Sequence, residues 1–296
     1  MALENIEQCP LCHHAAFAPL LVCEDYLSSH ERFELKKCLS CSFVVTSPRP
    51  DSQTLPSYYE SNHYISHTGK SPGFIGFFFL LARKFTLRWK VNLIKRFKGN
   101  ISILDFGCGT GELLFACQRQ GWQISGLEPS AAARQKASQI TGINIAGNLE
   151  QLKGQQFDVI TLWHVLEHVM DLRQKISELK ALLKNNGLLF LAVPNCQSPD
   201  ALFYKEYWAG YDVPRHLWHF TKATMAAMLG SEGLTVKSIH PMKLDAYYVS
   251  LLSEKYRSPN RIAPATFLHG TIRGFLSNRK AGSTVNHSSL IYIVAK

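Results

Sequence analysis

From residue 101 the chain alternates short apolar runs with amphipathic stretches. The apolar runs at 101–106, 122–127, 143–146, 157–163, 188–193, 234–240 and 290–295 predict strands. Helices are predicted between them. One spans 111–120 and is closed by Gly121; another runs from a Ser130 cap to about 139. A third starts at Asp171 and runs to about 184, where Asn186-Gly187 stops it. A fourth starts at Thr221 and ends at Gly233. Short strands alternating with helices predict an α/β fold, a doubly wound, mostly parallel, seven-stranded sheet with helices on both faces. Residues 244–288 break the alternation; they read as helical and basic, without a place in the sheet. Upstream, 74–97 carries no acid and spaces its apolar residues by three and four, which predicts helix. A helix packed on the sheet is the simpler use of that stretch. Contact with a membrane surface or a nucleic acid is the other.

The first 46 residues follow a different pattern. Cys9-x-x-Cys12 and Cys38-x-x-Cys41 are two knuckles joined by an intervening ribbon. Two such pairs have the spacing of a tetrahedral zinc site, in which each knuckle turns two thiolates toward one point. A set of four thiolates leaves no open position, so the zinc would be structural. Four buried or redox-active thiols are the plainer alternative. The chain therefore divides into a zinc ribbon (1–46), a linker with covering helices (47–98), and a larger domain (99–296) interrupted at about 244–288.

Composition narrows the options. Of 296 residues, 46% are apolar, which suits a folded protein. The longest nearly apolar run, 74–82, is about half of what a membrane span needs, so no transmembrane span is expected. The start of the chain, MALENIEQCP, lacks the basic and apolar stretches of a signal peptide. A cytoplasmic protein is expected, with attachment to the inner membrane face as an option. The net charge of +10 favours anionic partners: RNA, a membrane surface or a phosphorylated small molecule.

The predicted first strand runs into Asp105-Phe106-Gly107-Cys108-Gly109-Thr110-Gly111-Glu112. Glycines at alternate positions allow a tight turn and close approach of a ligand, and the next helix presents free N–H groups to it. Glu128 ends the second strand, where a carboxylate can accept both ribose hydroxyls. The spacing is Gly-x-Gly-x-Gly rather than the Gly-x-Gly-x-x-Gly of dinucleotide loops.

LDFGCGTGE resembles the first motif of class I S-adenosylmethionine-dependent methyltransferases. The resemblance covers about 100–240. It implies that S-adenosyl-L-methionine is the cofactor, with Asp105, Gly107, Cys108, Gly109 and Gly111 facing its methionine part. It implies ribose contact at Glu128 and Pro129, and adenine contact at Asn148 and Leu149. Many members have Asp where this chain has Asn148. FDVITLWHVLEHVMDL resembles the fourth strand and its loop, which brings Trp163 and His164 to the cofactor.

A methyl transfer to oxygen needs alignment and a base. His216 in YWAGYDVPRHLWHF is the first candidate base and His164 the second. Structural uses compete at each position: Glu167 and His168 could cap a helix, and His216 and His219 could be hydrogen-bonded core residues. Arg215 suits either an anionic acceptor or a salt bridge. Tyr58, Tyr59 and Tyr64 suit packing, or closure over the cofactor. The ribbon preceding this domain resembles that of bacterial methyltransferases of nucleotide-linked sugars or envelope glycans, and the VLEHV core resembles quinone-biosynthesis O-methyltransferases. The acceptor expected from this is a small molecule, with anionic, glycan-linked and lipid-linked acceptors as options. An rRNA or tRNA methyltransferase that grips RNA through the ribbon, and a non-catalytic cofactor-binding scaffold, are the alternatives.

Overall fold

The computed structural model describes residues 3–59, 74–97 and 99–296. Tyr64 lies outside the described residues. The apolar runs beyond residue 100 form one sheet of six strands. Its members are β6 (Ser102–Phe106), β7 (Gln123–Leu127), β8 (Phe157–Trp163), β9 (Leu183–Pro194), β11 (Thr235–Pro241) and β12 (Ser289–Ala295). Their order is β11-β12-β9-β8-β6-β7. The pairings β7–β6–β8–β9 are parallel, and β12 lies antiparallel between β9 and β11. The parallel strands are apolar on both faces because helices cover both. These are α2 (Glu112–Gln118), α3 (Ala131–Thr141), α4 (Leu172–Leu182) and α6 (Lys222–Ser231), together with α1 (Phe74–Lys95).

The seventh strand, expected at 143–146, is reduced to a single bridge, Leu127 to Ala146. Two hydrogen bonds hold it: Ala146 N–H to Gly126 O and Glu128 N–H to Ala146 O, both 2.9 Å. Gly142 turns left-handed on one side (φ 72°), and a short turn begins after Asn148 on the other. Too few residues remain between them to build a ladder.

Another boundary also differs from the expectation. The helix after Asp171 ends at Leu182, and β9 begins at Leu183, upstream of Asn186-Gly187. The register jumps from Phe157–Leu183 to Val159–Leu188, so 184–187 bulge out of the strand. Leu183 is thereby buried in one core cluster, Leu188 packs partly buried against another, and Lys184 Nζ reaches Asp158 Oδ2 at 2.9 Å. A Cβ on Gly187 would lie 2.7 Å from the Leu183 side chain, so the bulge closes only around glycine. The Ser130 and Thr221 caps form as expected, while the Asp171 side chain makes no cap hydrogen bond.

The helix over 74–95 packs on the sheet. Val91, Leu93 and Ile94 are buried with Ile101, Ile103, Val159 and Ile291. Among the described residues, no helix is long and apolar enough to cross a membrane.

Residues 244–288 fold as two helices, α7 (Asp245–Arg257) and α8 (Ala263–Ala281). Gly270 and Gly274 let α8 approach α7 closely: a Cβ at either would sit 2.7–2.8 Å from backbone atoms of Leu251 or Tyr247. Buried polar links fix the pair to the 199–211 segment, where α5 (Pro199–Tyr204) lies. Tyr204 Oη donates to Glu254 at 3.0 Å and Ser277 Oγ to Asp200 at 2.7 Å.

The cysteine ribbon contains β2 (Phe17–Glu24), β3 (Arg32–Cys38) and β4 (Val44–Thr46), with β1 (Leu3–Glu4) paired to β5 (Arg49–Pro50) beside them. Its sheet does not stop at the ribbon. β10 (Trp218–His219), from the larger domain, pairs with β4 through Trp218–Val45 and His219–Val44.

Candidate functional site

The glycine loop leaves the C-terminal end of β6 with all three glycines at positive φ: Gly107 at 75°, Gly109 at 54° and Gly111 at 81°. Two of them are also forced by packing. A Cβ on Gly107 would come within 2.6 Å of Val165, and one on Gly111 within 2.9 Å of Ala137. Gly109 differs, since a Cβ there would meet nothing within 4 Å among the described residues. Packing therefore does not demand glycine at 109; the backbone there borders open space that a ligand can fill.

Glu128 closes the other side of that space. Its Oε2 accepts from Gly109 N–H and its Oε1 from Ser130 N–H, each at 2.9 Å. Each oxygen keeps a lone pair for a further donor. The carboxylate thus ties the loop to the second strand and still presents acceptors to a diol. Pro129 follows, its carbonyl held by Arg134 Nη1 at 2.9 Å. The Asn148 Oδ1 accepts from Gln151 N–H at the start of the short turn that carries the partly buried Leu149. Cys108 is buried, which pushes its thiol up to about 12, and its Sγ lies over Gly126. It acts as loop packing.

Asp105 is buried at the end of β6, accepting from Thr161 Oγ1 at 2.6 Å. Burial lifts its carboxyl to about 6, against the pull of Thr161 and Lys90. Lys90, from α1, places its Nζ 4.1 Å from the Trp163 ring centroid. Burial pushes the Lys90 ammonium down, while Asp105 and Asp245 oppose it. The Trp163 Nε1 is buried with no hydrogen-bond partner among the described residues. Lys90 was not singled out for the site from the sequence, because helix periodicity shows the packed face but not how far a lysine reaches past it.

The candidate base His164 lies where its sequence neighbours implied, but between two carboxylates. It sits just after β8 at φ 57°. Its Nδ1 is 3.3 Å from Glu167 Oε1 and its Nε2 is 3.1 Å from Asp245 Oδ2. Burial alone would lower its pKa, but the two carboxylates carry it up to about 9. At neutral pH it is an imidazolium with both nitrogens occupied, so it does not accept a proton. Asp245 comes from the segment that the sequence left unplaced, which is why the ring's second partner was not foreseen.

His216 is buried, with Nδ1 2.9 Å from Gly210 O. A carbonyl only accepts, so Nδ1 donates its proton there, and Nε2 faces the Asp212 carboxylate 3.8 Å away. The His168 ring stands edge-on to it, centroids 4.6 Å apart, with Nδ1 2.9 Å from Tyr59 Oη and 3.1 Å from Arg215 O. Burial and the nearby His216 push His168 down to about 4. His219 points away, into the ribbon. Its Nε2 meets Thr46 Oγ1 at 2.9 Å, and burial lowers it to about 3. His219 is a core residue.

Arg215 does not face an acceptor. It is 1% exposed, and its Nη2 lies 2.7 Å from both Asp25 of the ribbon and Asp212. Thr46 Oγ1 also donates to His216 O at 2.8 Å. The ribbon therefore holds the His216 segment in place. Tyr58 serves the same junction, its Oη donating to Glu31 at 2.5 Å.

The four ribbon sulfurs lie within 4.8 Å of one another, with Cys9–Cys41 and Cys12–Cys38 at 3.5 Å. Tetrahedral Zn–S bonds of about 2.3 Å separate sulfurs by roughly 3.8 Å, so the four thiols fit one zinc. The distances exclude disulfides, whose S–S bond is about 2.05 Å.

A glycine loop after β6, an acid just past β7 and a sheet ordered β11-β12-β9-β8-β6-β7, extended beyond β7 by the Leu127–Ala146 bridge, define the class I methyltransferase fold. A family model described as "Methyltransferase domain" matches residues 80–239, and the chain belongs to that family. A ubiquinone biosynthesis O-methyltransferase of Actinobacillus pleuropneumoniae serotype 5b is 37% identical over 106 residues, covering 31% of this chain and 45% of that protein. The protein of the same name from Pseudomonas fluorescens Pf-5 is 32% identical over 153 residues, 46% of this chain and 66% of its own length. The chain thus spans about half to two thirds of these curated relatives. The structure of magnesium protoporphyrin IX methyltransferase from Synechocystis PCC 6803 with bound SAH superposes with a TM-score of 0.53 at 16% identity. It covers 83% of this chain and 100% of that one, a likeness of fold.

Proposed function

We propose that the protein transfers a methyl group from S-adenosyl-L-methionine to an oxygen of a small-molecule acceptor. The observation that carries this reading is the open cradle at Gly109, closed by a Glu128 carboxylate that keeps free lone pairs toward it. S-adenosyl-L-methionine, when bound, supplies an electrophilic methyl on a positively charged sulfur. Glu128 would take the ribose hydroxyls, and the turn at Asn148 and Leu149 would border the adenine. Asp105 and the loop carbonyls would face the ammonium, with Lys90 and the Trp163 N–H beside them as donors to the carboxylate.

On the acceptor side, His216 presents Nε2, with the Asp212 carboxylate 3.8 Å away, in a buried position at the carboxyl ends of the strands, where ligands bind in open α/β sheets. The acceptor hydroxyl gives its proton to that nitrogen as an oxygen lone pair forms the new O–C bond. The electron pair of the broken S–C bond stays on sulfur. Exclusion of water falls to Tyr59 and to the aromatic residues around His216. A cavity of about 360 Å³, lined by Phe85, Trp89, Leu93, Met242, Leu244 and Asp245, opens beside His164. Its walls are mostly apolar, which supports an acceptor with a lipid or aromatic portion. The four cysteines would hold a structural zinc, and the ribbon would act as a brace for the His216 segment rather than as a grip on RNA. A cytoplasmic enzyme fits this chemistry.

The test is transfer from methyl-tritiated S-adenosyl-L-methionine into fractionated cell extract. Counts in the lipid or glycan fraction, reduced about 100-fold or more in His216→Ala, are expected. Counts in RNA, or in no fraction, would refute the reading.

A further inference from the structure

Helix α8 is amphipathic in an inverted sense. Its buried stripe consists of the small residues Gly270, Gly274, Ser277 and Ala281, and the two glycines meet α7. Leu268, Ile272 and Phe275, spaced by four and three, lie on the opposite side of the helix and are 46–58% exposed. Ile262, just before the first turn, is 72% exposed. Large apolar side chains aligned at helical spacing and left in water mark a face that is covered in use.

The charges around the stripe decide what covers it. Residues 243–288 hold seven Lys or Arg against two acids. Both acids are used inside the protein. Asp245 lies 3.1 Å from His164, and Glu254, 2% exposed, accepts from Tyr204 and pairs with Arg261. Lys255, Arg279 and Lys280 are exposed, and Arg279 continues the apolar stripe by one turn. A second copy of the chain seated here would set these cations against their own kind. An RNA would meet the cations but leave the aliphatic side chains in water. A bilayer with anionic lipids satisfies both, with acyl chains for the stripe and headgroups for the basic residues.

We propose that α8 docks the protein on an anionic membrane surface, lying in the plane of the interface with Leu268, Ile272 and Phe275 toward the acyl chains. The net charge of +10 draws the whole molecule the same way. The stripe ends near the acceptor cavity: Asn278 Nδ2 donates to Lys243 O at 2.8 Å, and Lys243 and Leu244 line that cavity. Docking would bring the cavity to a bilayer that holds a lipid-linked acceptor. That use rests on the acceptor reading above, whereas the docking itself does not.

The full chain is tested by flotation with vesicles of pure phosphatidylcholine and of phosphatidylcholine mixed with phosphatidylglycerol, at low salt. Binding to the mixed vesicles is expected, and it should fall as salt is raised. Replacing the stripe (Leu268→Ser, Ile272→Ser and Phe275→Ser together) should weaken it about 100-fold or more. Arg279→Gln and Lys280→Gln should each weaken it about fivefold. All five side chains are exposed, so the melting temperature should not move. Ile272→Ser alone, with a loss of about tenfold, serves if the triple variant fails to fold. No binding of the wild type to the mixed vesicles, or equal binding by the folded variants, overturns the proposal. Light scattering that shows the stripe pairing two copies in solution overturns it as well. Vesicle binding is read without any methyl transfer, so failure of the acceptor reading would leave its outcome unchanged.

Discussion

Charge and burial at single residues set the pH response. His168 and His219 are buried neutral, near 4 and 3, below the usual histidine value. Their depressed pKa values mean that the unfolded chain binds more protons below about 6.5, so stability is lost as pH falls from there. Asp105, lifted to about 6, works the other way and restores part of the loss as it takes up a proton. His164, raised to about 9, adds stability that is full below about 6.5 and lost as pH rises through 9. At 1.36 kcal/mol per unit of mismatch, the balance between pH 7 and pH 5 is a loss of about 2 kcal/mol. Denaturant melts at the two pH values check this; equal stability would contradict the neutral burial of the two rings. The sequence made much of this scale legible. The glycine loop and Glu128 are local signals, readable because strand, turn and helix follow each other directly. The second partner of His164, Asp245, is 81 positions away and so leaves no local signal.

At the scale of elements, strand and helix placement followed from apolar periodicity, and the exceptions have local causes. Asn186-Gly187 reads as a helix stop, yet it forms a bulge inside β9, because Leu183 already faces the core. The strand at 143–146 is cut short between Gly142 and the turn after Asn148. The helices at 245–281 were hard to place because α8 turns small residues inward. Gly270, Gly274, Ser277 and Ala281 are buried, while Leu268, Ile272 and Phe275 are exposed. A pattern of large apolar residues therefore points to the wrong face. Gly274→Ala tests the close approach. The added Cβ would lie 2.7 Å from the Tyr247 Cα, so the two helices must separate. A loss of about 1–3 kcal/mol is expected, despite the better helix propensity of alanine. An unchanged or higher melting temperature would show that α8 is not held against α7.

At the scale of the whole molecule, the ribbon and the larger domain share a sheet through β4 and β10 and a buried ion pair between Asp25 and Arg215. The paired cysteines announced the ribbon, but the sequence did not show what it braces, since Asp25 and Arg215 are 190 positions apart. The His216 segment is pinned by Thr46 and Arg215, so damage to the ribbon should reach the acceptor side first. Stripping zinc under denaturant-free conditions is expected to leave S-adenosyl-L-methionine affinity within about threefold and to lower turnover at least tenfold. Equal losses in both, or in neither, would sever the ribbon from the acceptor side.

The central claim is the nucleoside pocket between the glycine loop and Glu128. Calorimetric titration with S-adenosyl-L-methionine tests it most directly, comparing the wild type with Gly109→Val. Valine at φ 54° is strained by about 1–2 kcal/mol and fills the space that the ligand would enter. One saturable site per chain in the wild type, weakened about 100-fold or more in the folded variant, is the predicted result. No heat with the wild type, or the same affinity in the valine variant, would contradict it.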